Sequence, residues 1–127
     1  MKEIMAFIRP NKVNATKRAL AENGFPAYSC RKCMGRGKKM IDPELLKLVM
    51  ATGELPMDSQ GEALTEAVRL IPKRLFIVIV DDDKVKDAVD IFIKANQTGH
   101  PGDGKIFVAP VMESYRVRDG AATTDAY

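Results

Sequence analysis

Thr98-Gly99-His100-Pro101-Gly102-Asp103-Gly104-Lys105 packs three glycines and a lysine into eight residues. Glycine lets the main chain approach an anion closely, and the lysine supplies charge. The spacing is not that of a Walker motif, and an ordinary glycine-rich turn with a solvated lysine accounts for the same residues. Two further groups bear on the choice. Gly35-Arg36-Gly37-Lys38-Lys39 is a second glycine-basic segment. Arg116 and Arg118 alternate on what reads as the last strand, which puts both on one side of a sheet. Charge-assisted contacts to phosphate are worth roughly 1.5 to 3 kcal/mol each, so convergence of these groups would hold a polyphosphate.

Catalytic chemistry has no comparable set of residues. His100 is the single histidine, and neither a serine nor a cysteine stands beside a base in sequence, so no nucleophilic, metal-centred or other catalytic constellation is expected. Cys30 and Cys33 form a CxxC spacing, but a redox pair belongs at a helix start and zinc needs further ligands. On a strand, positions three apart lie on opposite faces about 10 Å from one another, too far for a disulfide. Both cysteines read as packing or interface residues.

The elements that must position these residues fit one domain. A chain of 127 residues buries roughly 68% of its unfolded surface without disulfides or metal. No apolar run of about 18 residues and no leader with a cleavage site are visible, which points to a cytoplasmic protein without a membrane span. Residues 1–40 carry ten basic and two acidic side chains, a net of +8; residues 41–127 carry ten basic and fifteen acidic, a net of −5. This polarity suits an anionic ligand near the first segment. Nucleic acid is not expected, because the basic residues are not interleaved with aromatics for stacking.

Residues 2–9 alternate as a strand, with Ile4, Ala6 and Ile8 on one face and Met5 and Phe7 on the other. A helix follows, with Asn11 as its cap, Val13, Thr16, Lys17 and Leu20 at helical spacing, and Gly24 at its left-handed end. Residues 27–34 read as a second strand. Arg74–Val80 is nearly all apolar and reads as a central strand. Asp81 to Asp83 then open a helix with a stripe of Val85, Ala88, Val89, Phe92 and Ile93, ended by Gly99. Lys105–Ala109 and Val111–Arg118 read as two closing strands. The order β-α-β-β-α-β predicts an α+β, ferredoxin-like split βαβ fold, an antiparallel sheet with two helices on one face. The other face needs cover, which self-association supplies. Residues 38–71 form a long inserted loop, either a segment that folds on a partner or an elaborated surface loop, and residues 119–127 read as a flexible tail.

The segments Met1–Ile4, Arg9-Pro10, Gly24-Phe25, Gly35-Arg36-Gly37 and Pro72-Lys73 resemble the PII signal-transduction family. The most specific resemblance is Gln97–Val108 followed by Arg116-Val117-Arg118. It implies a homotrimer or related hetero-oligomer of ferredoxin-like subunits that is not an enzyme. ATP or ADP would sit in the clefts between subunits, and 2-oxoglutarate would bind with magnesium against the ATP phosphates. Carried onto this chain, Gly102, Asp103, Gly104 and Lys105 would wrap the nucleotide. Arg116 and Arg118 would reach the phosphates from the adjoining subunit, and Gly35, Gly37 and Lys38 would close the other wall. Ser29 and Ile79 would lie near the adenine, and Lys73 near the 2-oxoglutarate carboxylate.

The chain departs from the family at Lys38-Lys39, where typical members have Arg then Gln, the Gln helping to bind metal and 2-oxoglutarate. Its long loop has no tyrosine, which excludes control by tyrosyl uridylylation. In its lengthened loop the chain is similar to PII-like proteins encoded with nitrogenase in methanogenic archaea, the second of two paralogues in particular. That likeness implies a complex with a PII-like paralogue that binds the dinitrogenase component under ammonium sufficiency. Leu45, Leu46, Leu48, Val49, Met50, Leu64 and Val68 are the expected partner contacts. A PII protein acting on another target, such as an ammonium transporter, is the alternative; an acylphosphatase-like enzyme and a nucleic-acid module are readings from other classes.

Overall fold

The structure is a computed structural model that describes residues 1–38, 44, 47, 50, 51, 53 and 69–127. It divides into two compact units, Met1–Cys33 with Pro72–Tyr127, and Met34–Ile71.

The elements run β1 (Lys2–Ile8), α1 (Val13–Glu22), β2 (Ser29–Gly35), β3 (Ile71–Val80), α2 (Val85–Asn96), β4 (Gly104–Pro110), β5 (Ser114–Tyr115) and β6 (Ala122–Thr123). The four-stranded sheet has the order β2-β3-β1-β4, with β1 antiparallel to both β3 and β4. This α+β arrangement is the expected ferredoxin-like one, and β3 is interior as its apolar composition predicts.

Period-two alternation sorts the sheet. Ile4, Ala6 and Ile8 are buried, and their partners Val78 and Phe76 on β3 share that face. Leu20 of α1, Phe25, and Ala88 and Phe92 of α2 complete the core over it. Phe76 lies at its centre, with ring centroids 5.4 Å from Tyr28 and 6.0 Å from Phe92. A buried polar tie joins the helices, as Asn96 Nδ2 donates to Thr16 Oγ1 at 3.0 Å. Met5, Phe7, Ile77, Ile79 and Phe107 share the opposite face by register, and Phe7 and Phe107 meet edge to face at 6.1 Å.

Both helices are entered through a 3₁₀ turn, Pro10–Lys12 and Asp82–Lys84. The expected caps are therefore displaced: Asn11 and Asp81 make no capping bond, and Lys12 and Lys84 stand at the N-cap positions of the two α-helices. Asp81 Oδ1 instead accepts from Ala126 N at 3.2 Å. Gly24 behaves as expected, with φ +83°. It closes α1 in a Schellman arrangement, Phe25 N donating to Leu20 O at 2.8 Å and Gly24 N to Ala21 O at 3.4 Å. Ile93 departs from the expected stripe and is 42% exposed. The seam instead runs through Val85, Ala88, Val89 and Phe92 to Asn96, one residue off Ile93 in angle.

The expected strand Val111–Arg118 is not formed. Only Ser114–Tyr115 is extended, paired with Ala122–Thr123 in a separate two-stranded sheet. That second strand lies within residues 119–127, where Tyr127 also donates its hydroxyl to Gly24 O at 3.3 Å.

Candidate functional site

Strand β1 delivers Ile8 to the core and releases Arg9 in extended conformation (φ −69°, ψ 143°) before Pro10 turns the chain. Helix α2 ends at Asn96, three residues short of Gly99, so Gly99 belongs to the following loop rather than to the helix end. Arg9 and this loop meet at the edge where β4 begins.

Asp103 is the hub. Its Oδ2 accepts from the amides of Thr98 at 2.8 Å and Gly99 at 3.0 Å. Its Oδ1 accepts from the Thr98 hydroxyl and from Arg9 Nη2 at 3.3 Å. A side chain that bonds its own loop in this way holds the turn without help from sheet or helix. Two cations fasten the loop from outside. Arg9 Nη2 donates to Pro101 O at 2.9 Å, and Lys73 Nζ of β3 donates to Gly102 O at 2.6 Å. Gly104, with φ +121°, starts β4 so close to β1 that a Cβ there would lie 1.8 Å from Phe7 O.

The electrostatics follow from these contacts. Hydrogen bonds from Thr98 above all, then from Gly99 and Arg9, hold the Asp103 carboxyl well below the usual carboxylate range. A carboxylate with a depressed pKa contributes stability that is present above the unfolded value of about 3.9 and is lost as pH falls through the depressed one. The Asp103 carboxyl carbon is therefore expected to titrate by NMR below the ordinary aspartate value of about 3.9, and titration at that ordinary value would contradict the hub. Lys73 is shifted down, first by burial and second by the charge of Arg9. The cluster thus holds two cations against one carboxylate, an excess of positive charge that suits an anion with acceptor oxygens.

Of the residues singled out from sequence, Lys73, Gly102, Asp103 and Gly104 are brought together. Lys105 follows at the start of β4, with Nζ 5.5 Å from the Phe107 ring centroid. Ile79 is half-buried on the helix-free face, opposite Glu3. Ser29 is exposed as the first residue of β2. Arg116 and Arg118 do not share a strand face: Arg118 lies in a turn, and Arg116 is committed to Asp119, with Nη2 2.6 Å and Nε 3.0 Å from Oδ2. The turn closes through Arg116 N to Ala121 O at 2.8 Å. Gly35, Gly37 and Lys38 belong to the second unit, and Met50 is exposed. Lys39, Leu45, Leu46, Leu48, Val49, Leu64 and Val68 lie outside the described residues. Cys30 and Cys33 are free thiols.

Arg9 was not legible as a site residue, and Thr98 was legible only as the first residue of the glycine-rich segment. The signal for Arg9 is a charge placed directly after the last core residue of β1 and before a proline. Among the described residues no helix is long and apolar enough to cross a membrane.

Residues 1–121 match the family described as nitrogen regulatory protein P-II. The chain is 43% identical over 125 residues to "Nitrogen fixation nifHD region GlnB-like protein 2" of Methanothermococcus thermolithotrophicus, covering 94% of this chain and 93% of that protein. It is 39% identical over 129 residues to the protein of the same name from Methanobacterium ivanovii, covering 99% and 98% of the two chains. "Nitrogen regulatory protein P-II" of Bradyrhizobium diazoefficiens is 32% identical over 126 residues, with 99% of each chain covered. The split βαβ frame and the glycine-rich loop at its β4 edge fall within the matched span, and the chain belongs to the nitrogen regulatory protein P-II family, whose members are signalling regulators and not enzymes.

Proposed function

We infer that the chain is a nitrogen-status sensor that binds ATP or ADP together with 2-oxoglutarate and regulates nitrogenase by binding its dinitrogenase component under ammonium sufficiency. The observation that carries this reading is the excess positive charge at the loop: Arg9 and Lys73 both fasten it, against the single carboxylate of Asp103. Gly102, Asp103, Gly104 and Lys105 would hold the nucleotide phosphates, on which magnesium arrives, and Lys73 would pair with a 2-oxoglutarate carboxylate. Because Lys73 also donates to Gly102 O, an anion drawn to Lys73 changes what fastens the loop. That shared lysine is a physical link between the two ligands.

The adjoining subunit would contribute Arg116 and Arg118, with Arg116 exchanging Asp119 for phosphate. The apolar helix-free face of Met5, Phe7, Ile77 and Phe107 supports a homotrimer or a mixed assembly with a PII-like paralogue. Residues 38–71 would carry the partner contacts. Moving such a loop between states from 1:99 to 99:1 takes about 5.5 kcal/mol of differential affinity, within reach of two charged ligands. The relatives named for a nifHD region favour nitrogenase over an ammonium transporter as the target.

Lys105→Ala and Arg118→Ala are each expected to weaken ATP binding about tenfold, the effect of one charge-assisted contact at the low end of its range, and to leave the oligomer's size unchanged. Unaltered ATP affinity in both variants would sink the nucleotide-site assignment. Capture of dinitrogenase from nitrogen-replete cells tests the target.

A further inference from the structure

We propose, resting on the nucleotide reading above, that Asp119 is a built-in competitor for the nucleotide phosphates: its carboxylate occupies Arg116 until a phosphate displaces it, and so sets how much ATP the site needs. Arg116 Nη2 donates to Asp119 Oδ2 at 2.6 Å, and Nε donates to Oδ2 at 3.0 Å and to Oδ1 at 3.1 Å. A carboxylate and a phosphate offer a guanidinium the same fork of acceptor oxygens. The donors that Asp119 holds are therefore the ones a phosphate would take.

The pair is built to be displaced rather than to hold the turn. The side chains of Arg116 and Asp119 are 47% and 42% exposed, so a ligand can reach them, water can solvate the released carboxylate, and the pair itself is weak. The turn closes without the guanidinium: Gly120 N donates to Arg116 O at 2.7 Å, Arg116 N to Ala121 O at 2.8 Å, and Asp119 Oδ1 accepts from Ala121 N at 3.0 Å. Gly120, at φ +70°, supplies the left-handed residue of that turn. Because Asp119 stands three positions from Arg116, the competing carboxylate is always at hand, at an effective concentration fixed by the chain. Hydrogen bonds from Arg116 first, and from the Ala121 amide second, hold the Asp119 carboxyl below its ordinary value, so it stays an anion through the neutral range.

The test compares the parent with Asp119→Asn by calorimetric titration with MgATP, for the full chain alone and for the chain co-expressed with a paralogue. With the new amide oxygen kept on Ala121 N, the amide nitrogen sets donors against the donors of Arg116 and releases the guanidinium while the turn stays closed. Asp119→Asn is expected to bind ATP about fivefold tighter, the upper end for an exposed ion pair, with the oligomer's size unchanged. The gain should persist in an Arg118→Ala background and vanish in an Arg116→Ala background. Equal or weaker ATP binding in Asp119→Asn would overturn the proposal and make Asp119 a support for Arg116. A gain of the same size in the Arg116→Ala background would also overturn it, as the effect of removing any negative charge. Absence of ATP binding in the parent would instead bring down the nucleotide reading, and the competitor with it, whereas binding in the parent without a gain in Asp119→Asn removes the competitor alone.

Discussion

Gly104→Ala is expected to cost about 3 kcal/mol or more and to abolish nucleotide binding. An L-residue held at φ +121° carries strain of order 1 to 3 kcal/mol by itself. The larger penalty is steric: the new Cβ would lie 1.8 Å from Phe7 O and 3.0 Å from Phe7 C, both backbone atoms that cannot swing aside. Relief requires β4 to separate from β1 at the Ile8–Gly104 rung. That rung adjoins Asp103 and Lys105, so the same movement displaces the loop. Denaturant unfolding and ATP titration of the variant read the two effects. A midpoint equal to that of the parent chain would show that the close approach of β4 to β1 is not as described.

Arg9→Ala is the second large effect, and it falls on the site more than on the fold. The guanidinium bridges Pro101 O and Asp103 Oδ1, so its loss leaves the middle of the loop held from outside by Lys73 alone, while Thr98 and Gly99 still hold Asp103. Stability is expected to fall by about 1 to 2 kcal/mol, as the contacts are partly exposed. ATP affinity is expected to fall roughly tenfold to a hundredfold, since a ligand must then order the loop as well as bind it. Lys73 should titrate closer to an ordinary lysine once the neighbouring charge is gone. Arg9→Lys should not restore binding, because one ammonium keeps the charge but lacks the planar fork that reaches carbonyl and carboxylate together. Wild-type ATP affinity in Arg9→Ala would remove Arg9 from the site.

The frame was legible wherever burial repeats with the period of the backbone. Ile4, Ala6 and Ile8 alternate because one face of β1 meets the helices, and β3 is apolar because it lies inside the sheet. The family resemblance rested above all on Gln97–Val108 and Arg116-Val117-Arg118, and it is borne out over residues 1–121. What misled was local pattern without burial behind it. Arg116-Val117-Arg118 alternates like a strand, yet Val117 is 99% exposed. Asp119, three residues on from Arg116, folds the segment back by accepting from Arg116 and from Ala121 N at 3.0 Å. Arg9 escaped notice for the opposite reason: its partners stand 92 and 94 residues away, and no local spacing announces them. Ile93 fits a helical stripe, but the buried side of α2 runs through Ala88, Phe92 and Asn96 and leaves Ile93 42% exposed.

The pinned loop, as proposed, is a nucleotide site coupled to 2-oxoglutarate. Calorimetric titration of the chain with MgATP, in the presence and absence of 2-oxoglutarate, tests it most directly. Saturable ATP binding that tightens when 2-oxoglutarate is present is the predicted result. Absence of saturable binding by either ATP or ADP, both for the chain alone and for the chain co-expressed with a paralogue, would contradict it.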